Sequence, residues 1–275
     1  MTITAAMVKE LREKTGLPMM DCKKALQEAE GDTEAAIEIL RKKGIGKIEK
    51  MSGRETSQGR VACHTNADNG RIGIVELRCE TAPVAATDDF IALAQKIAAQ
   101  AASLETPTTE SVLELALPDD ATKKTSDAIH DVFNRLRENI QVARVASFAG
   151  HVGHYIHHNG QVGVLVEFSG ECPEETKIDI CMHVTAMNPP YTQRADVPAD
   201  QVERQRAEST EGAQGKPAEI VEKIVTGKLN RWYGNIVLVD QPFVKEEKKS
   251  VGQVLNAVTP GLTVSRFARF AVGDR

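Results

Sequence analysis

The sequence predicts an α+β protein in three parts: an N-terminal helical module, a linker, and two related subdomains of strands and helices. Three observations predict this class. Apolar residues recur every three or four positions over residues 3–40, they alternate from about residue 60, and one strand pattern flanked by glycine occurs twice. With 275 residues and 41% hydrophobic content, the chain can bury more than one core.

Residues 1–43 predict a three-helix, UBA-like module. Its helices are separated by Thr15-Gly16-Leu17-Pro18, a turn with proline at a helix entry, and by Gly31-Asp32, a glycine followed by a good N-cap. Met19 and Met20 stand side by side where the second helix begins. Because methionine is flexible and polarizable, the pair suits either a core filler or an adaptable binding surface.

Residues 44–59 predict a basic linker, because they are polar, punctuated by glycine and without apolar periodicity. Their lysines and arginines could meet phosphates, but a solvated linker is the favoured interpretation.

The first core subdomain is predicted over residues 60–140. Alternating residues around 61–65 and 72–79 flank Asn69-Gly70, which is a strong hairpin signal. A helix containing Phe90 and Ile97 follows, and a second helix is expected from about 119 to 138.

The second core subdomain is predicted over residues 141–275, because residues 160–168 repeat the pattern of 70–77 and also precede a helix. Helical patterns are also present at about 217–233 and 251–258. Val264, Phe267 and Phe270 predict a closing strand.

Composition narrows the class of function. A net charge of -5 and a pI near 5.9 disfavour direct binding of nucleic acid. No run of eighteen apolar residues and no apolar leader is present, so we expect no membrane association and a cytoplasmic location. Five cysteines without a C-x-x-C pair argue against a disulfide framework and fit a reducing compartment.

Catalytic and metal chemistry has little support in the sequence. His151, His154, His157 and His158 cluster, but on a strand at most two neighbours would share a face, and no cysteine or carboxylate with ligand spacing accompanies them. No phosphate loop, dinucleotide fingerprint, H-E-x-x-H or G-x-S-x-G motif is present. We therefore expect no catalytic residues, metal or cofactor, and predict protein recognition by exposed apolar residues rather than an enzyme.

The run from Leu11 to Leu26 resembles the N-terminal signature of elongation factor Ts, and further matches include Asn139-Ile140, His183-Val184 and 241–243. The resemblance implies a guanine nucleotide-exchange factor that binds elongation factor Tu, which itself holds GDP and magnesium. It implies partner contacts through Leu11, Arg12, Met19 and Met20 in the module. It also implies contacts through His183 and Val184 in the second subdomain, and a helical hairpin at about 217–258.

The resemblance is weakest at the residues that would act on the nucleotide. Family members carry Thr-Asp-Phe-Val as a wedge that enters the partner's nucleotide domain, and here the sequence is Thr81, Ala82, Pro83 and Val84. An exchange factor must bind the nucleotide-free state more tightly, because equal binding of both states shifts nothing. Two functions therefore stay open: nucleotide exchange, or a binding and chaperone-like role without exchange.

Overall fold

The computed structural model describes residues 3–212 and 217–274, with the backbone alone over 45–50. Contacts between Cα atoms divide the chain into two compact units. Unit 1 comprises Met1–Asn66, Gly73–Ser147 and Phe270–Arg275, and unit 2 comprises Ala67–Ile72 and Phe148–Arg269. Half of the residues are helical and about a quarter are in strands, which confirms the predicted α+β class.

Unit 1 begins with the three predicted helices: α1 (Ala5–Thr15), α2 (Met19–Glu28) and α3 (Thr33–Met51). Thr4 caps α1 by accepting a hydrogen bond from the Met7 N–H, and Gly16 ends it with a left-handed φ of 69°. Buried side chains, among them Leu11 and Leu26, form a core that belongs to this module alone. The three helices therefore have their own apolar interior.

The predicted linker needs a correction, because α3 continues to Met51 and β1 (Gln58–Asn66) begins before residue 59. The predicted linker starts at residue 44, yet Gly44 is buried inside the helix. A Cβ atom there would lie 2.3 Å from the side-chain nitrogen of Asn134, so the glycine permits a close approach rather than ending the helix. The irregular connection shrinks to residues 52–57.

The rest of unit 1 is a sheet covered by helices. The sheet has the order β1-β2-β5, with β2 (Arg71–Cys79) in the centre and β5 (Gln141–Ala149) at one edge. Helices α4 (Ala82–Ala85), α5 (Asp88–Ser103), α6 (Thr109–Glu114) and α7 (Thr125–Leu136) complete it. Phe90, Leu93 and Ile97 on α5 bury their side chains in the same core as Val75 and Leu77 of β2.

The second helix of this subdomain starts later than predicted. Residues 119–124 belong to a two-stranded ribbon of β3 (Ala116–Leu117) and β4 (Asp120–Lys124), and α7 begins only at Thr125. Since β4 is polar and largely exposed, it lacks the alternating apolar pattern by which a strand is recognised in a sequence.

Unit 2 repeats this plan. Its sheet has the order β10-β7-β6, formed by β6 (Val152–Ile156), β7 (Val162–Phe168) and β10 (Val264–Ala271). Helix α8 (Glu174–Met187) follows the central strand β7, as α5 follows β2. A ribbon of β8 (Pro242–Phe243) and β9 (Glu246–Ser250) precedes α11 (Val251–Val258), as β3 and β4 precede α7.

The expected helical hairpin is also corrected. Helix α10 (Ala218–Ile236) packs against α9 (Ala199–Glu211), whereas α11 contributes Val251 and Leu255 to the core of unit 2. Helix α9 buries only Ser209, so its sequence carries too weak an apolar stripe to predict it. The hairpin therefore consists of α9 and α10 rather than of the helices at 217–258.

Candidate protein-recognition site

The methionine pair of the module lies on its surface. Met19 and Met20 are 49% and 61% exposed in the first turn of α2, and Arg12 is also exposed. The core-filler interpretation of the pair is therefore wrong. Two exposed methionines side by side offer an adaptable apolar surface to a partner.

Leu11, predicted as a third contact of the module, has no exposed surface and packs in the core of the three helices. Its position on α1 follows from the apolar stripe that also buries Val8. In this structure Leu11 stabilises the module, and a partner can reach it only if the helices rearrange.

His183 and Val184 are likewise wholly buried, on the inner face of α8. The Val244 N–H donates to Nδ1 of His183 at 3.3 Å, so the proton lies on Nε2, which donates to Oε1 of Gln241 at 2.9 Å. Burial lowers the pKa of His183, although the hydrogen bond to Gln241 opposes this shift. Both residues thus hold α8 against the β8 region, and their predicted partner contact would require an opening of unit 2.

The four residues predicted to act on the nucleotide form an exposed turn in unit 1. Thr81 is the N-cap of the short helix α4, Ala82 and Pro83 follow it and are exposed, and Val84 is half-buried. Proline suits the first turn of a helix because its fixed φ is helical and no partner for an N–H is needed there. We call these residues the 81–84 turn.

A carboxylate holds the 81–84 turn from below. Glu138 accepts a hydrogen bond from the Thr81 N–H at 3.0 Å and a second from the Thr81 hydroxyl at 2.5 Å. On the other side of Thr81, its carbonyl accepts from the Cys79 thiol at 3.3 Å. Burial, reinforced by the charge of Glu138, raises the pKa of Cys79 to about 12, so this thiol remains protonated and can donate.

Sequence reasoning missed the residues that connect the turn with the module. Arg137 donates to the Asp21 carboxylate at 2.9 Å, and Asp21 directly follows the methionine pair. Arg135 forms a two-point ion pair with Asp89 in the first turn of α5. The signals in the sequence were the family matches at Asp21 and Asn139, and neither indicates the ion pairs, since charged residues near a helix end ordinarily face solvent.

A second polar cluster in unit 1 is centred on a residue of β2 itself. The carboxylate of Glu76 is wholly buried and accepts from Nε of Arg78 at 2.6 Å and from Nε of Arg144 at 2.5 Å. The Gly273 N–H also donates to it, at 3.2 Å. Because a buried charge is costly unless it is paired, this cluster fixes the strand that leads to the 81–84 turn.

Other candidate chemistry finds no support in the described part of the chain. Within it, no three His, Cys, Asp or Glu side chains are grouped as a metal site would need, and the ring of His157 contacts Tyr155 and His158 instead. None of the five cysteines, all of which lie in the described part of the chain, forms a disulfide. Over the same residues, no helix has the length and apolar character required to cross a bilayer.

Comparison with known proteins defines the class. The family model described as Elongation factor TS matches residues 80–274. Elongation factor Ts of Methylococcus capsulatus is 42% identical over 279 aligned positions, which cover 100% of this chain and 93% of that protein. The protein of that name from Saccharopolyspora erythraea is 43% identical, with 98% of each chain covered, and that from Aquifex aeolicus is 37% identical, with 99% of each covered.

These matches make the protein a translation elongation factor. The chain belongs to the elongation factor Ts family.

Proposed function

We propose that the protein is a guanine nucleotide-exchange factor that binds elongation factor Tu with GDP and accelerates release of the nucleotide. The mechanism uses binding energy alone, and GDP and magnesium are ligands of the partner rather than of this chain. The observation that carries this proposal is the exposed 81–84 turn held by Glu138, in a chain similar to elongation factor Ts over its whole length.

Two exposed surfaces divide the work in this proposal. Met19 and Met20 provide apolar anchors for docking. The 81–84 turn then contacts the nucleotide domain of the partner, and its interaction is stronger when nucleotide and magnesium have left. In place of the acidic and aromatic pair of the family, Pro83 supplies a rigid apolar tip.

The test is stopped-flow release of a fluorescent GDP from elongation factor Tu of the same cell. Release should accelerate with the concentration of added protein and reach a plateau. A variant with Met19→Ala and Met20→Ala should need a higher concentration for the same rate, because truncating central apolar anchors typically costs about 1 to 4 kcal/mol of binding energy. No acceleration by the wild type at saturating concentration would refute exchange.

The second candidate function is binding of elongation factor Tu without exchange, as a chaperone-like regulator. One observation favours it: the turn carries Ala82 and Pro83 where the family has an acidic and an aromatic residue. Calorimetry that detects complex formation, combined with an unchanged GDP-release rate, would select this function over exchange.

A further inference from the structure

Residues 135–139, which we call the connecting segment, contact both exposed surfaces of unit 1. The segment begins in the last turn of α7 and ends where β5 begins. Four of its residues reach the module, the residues after α3, the start of α5 and the 81–84 turn through hydrogen bonds, and Leu136 packs against the core of the sheet. Two adjacent residues of the segment, Arg137 and Glu138, thus bind the groups next to the methionine pair and in the 81–84 turn.

On the module side, the segment fixes the start of α2. The Arg137 guanidinium donates to Asp21, which adjoins Met20 in the first turn of that helix. The stem of Arg135 lies against Gly16, where an added Cβ would come within 2.8 Å of Cδ. Since Gly16 and Asp21 bracket the methionine pair, these contacts determine where the pair is presented.

On the turn side, the segment fixes the residues that precede α4. Glu138 accepts hydrogen bonds from both the N–H and the hydroxyl of Thr81, and the Asn139 N–H donates to Oε1 of Glu80 at 2.8 Å. The Asn139 amide also donates to the carbonyls of Ser52 and Arg54, at 3.2 and 2.9 Å. The chain between the module and β1 is therefore tied to the same place.

The backbone makes this division possible. Arg137 adopts a left-handed φ of 61° at the end of α7, a conformation that is unfavourable for a residue with a Cβ atom. It turns the chain so that consecutive side chains serve different targets: Arg137 contacts the module and Glu138 contacts the turn. The cores of the module and of the sheet share no residue, so contacts at their boundary, polar ones and the close approach of Gly44 on α3 to Asn134 on α7, connect them rather than a common apolar interior.

We infer that Arg137 and Glu138 are positioning residues that couple docking through the methionine pair to the placement of the 81–84 turn. Neither needs to touch the partner. The inference rests on the proposed exchange function, because it assigns the two surfaces to one act of recognition. It predicts that a disturbance at either end of the connecting segment is felt at the other.

The first experiment separates positioning from affinity. Glu138→Gln removes the charge and one of the two acceptor oxygens, so Thr81 is held less firmly. The maximal rate of GDP release should fall about tenfold while the concentration for half-maximal effect changes less than about twofold. Glu203→Gln, an exposed residue of α9 with the same change of charge, is the matched control and should behave as wild type. A maximal rate for Glu138→Gln within twofold of the wild type would overturn the role of this residue.

The second experiment tests the coupling by a double-mutant cycle of Asp21→Asn with Glu138→Gln. The measured quantity is the fold-reduction of the GDP-release rate in each variant. If the two contacts act as a unit, the fold-reduction in the double variant is smaller than the product of the two single-variant reductions. A fold-reduction equal to that product would overturn the coupling, because the free-energy changes of independent sites add and their fold-changes therefore multiply.

A third measurement needs no partner and keeps the inference distinct from the proposed function. Exchange of the Thr81 amide hydrogen should be faster in Glu138→Gln, and also faster in Asp21→Asn, although Asp21 is not bonded to Thr81. If the wild type does not accelerate GDP release from elongation factor Tu, the proposed exchange activity is refuted. The hydrogen-exchange rate of the Thr81 amide still tests the coupling in that case. An unchanged Thr81 amide in Asp21→Asn would overturn it.

Discussion

The two units treat the turn after their central strand in different ways. After β7, the Ser169 N–H donates to the Thr263 carbonyl, the Thr263 N–H donates back to the Ser169 hydroxyl, and Cys172 is buried. After β2, residues 81–83 are exposed, and the side chains of Glu138 and Cys79 hold Thr81. The turn after β7 is thus tied to the start of β10 in its own unit and buries one side chain, whereas the turn after β2 is held through side chains and presents three consecutive exposed residues.

The units also differ in their buried polar groups. Unit 1 buries an ionised cluster around Glu76, and unit 2 buries a neutral pair, His183 and Gln241. Charged and neutral groups respond differently to truncation and to acid. Three predictions test this contrast and that of the turns.

The largest effect on stability is expected from Glu76→Ala, because this change leaves Arg78 and Arg144 without the buried carboxylate that they share. We expect the free energy of unfolding to fall by about 3 kcal/mol, measured by urea denaturation. Glu114→Ala is the control: it removes an exposed ion pair with Lys124, and less than about 1 kcal/mol should be lost. Equal losses in the two variants would contradict a special role for the buried charge.

A smaller effect is expected on acidification, and it should be concentrated in unit 2. Burial lowers the pKa of His183 and of His154 in unit 2, and of His130 in unit 1, below the ordinary value near 6.5. A lowered pKa means that the fold favours the neutral ring. The stabilisation is therefore complete above about pH 6.5 and declines as the pH falls towards the folded-state pKa.

Urea denaturation at pH 7.5 and 5.5 measures this decline. His183→Gln keeps a donor and an acceptor but does not titrate, so its stability should decline less between the two pH values than that of the wild type. A decline as steep as in the wild type would show that His183 is not among the groups responsible.

The smallest effect on stability is expected in the exposed 81–84 turn. Changing Ala82→Asp and Pro83→Phe together should alter the free energy of unfolding by no more than about 1 kcal/mol, because the turn is exposed and only the loss of proline rigidity is felt. Binding of elongation factor Tu, followed by calorimetry, should persist. A double variant that misfolds would show that Pro83 is structural and would break the contrast between the two turns.

Much of the fold could be predicted from local patterns. Asn69-Gly70 marked the hairpin of β1 and β2, and the repeat at 160–168 located the second central strand. Elements without an apolar pattern were missed: polar β4 and the thinly buried α9. At Gly44 the error was the reverse, because the predicted linker starts at a residue that is helical. Glycine is needed there for close packing against Asn134, ninety residues further along the chain, which no local pattern indicates.

The candidate site was predictable only in part, for a related reason. Resemblance located Met19, Met20 and the 81–84 turn, all of which lie at or near the surface. It also pointed to Leu11, His183 and Val184, whose burial depends on helix packing that a motif does not encode. The connecting segment was missed because ion pairs such as that of Asp21 with Arg137 depend on tertiary placement rather than spacing.

Two glycines set a limit on how this molecule can diverge. A Cβ atom at Gly73 would lie 2.3 Å from the Ala98 carbonyl oxygen of α5, and one at Gly153 would lie 2.7 Å from Cβ of Lys177 on α8. In each unit, this strand position is closed to any larger residue because a helix rests directly on the backbone there. Substitutions are excluded at those two glycines but are sterically possible at the exposed residues Ala82 and Pro83. Related proteins can therefore differ in the 81–84 turn while keeping the same packing of helix against sheet.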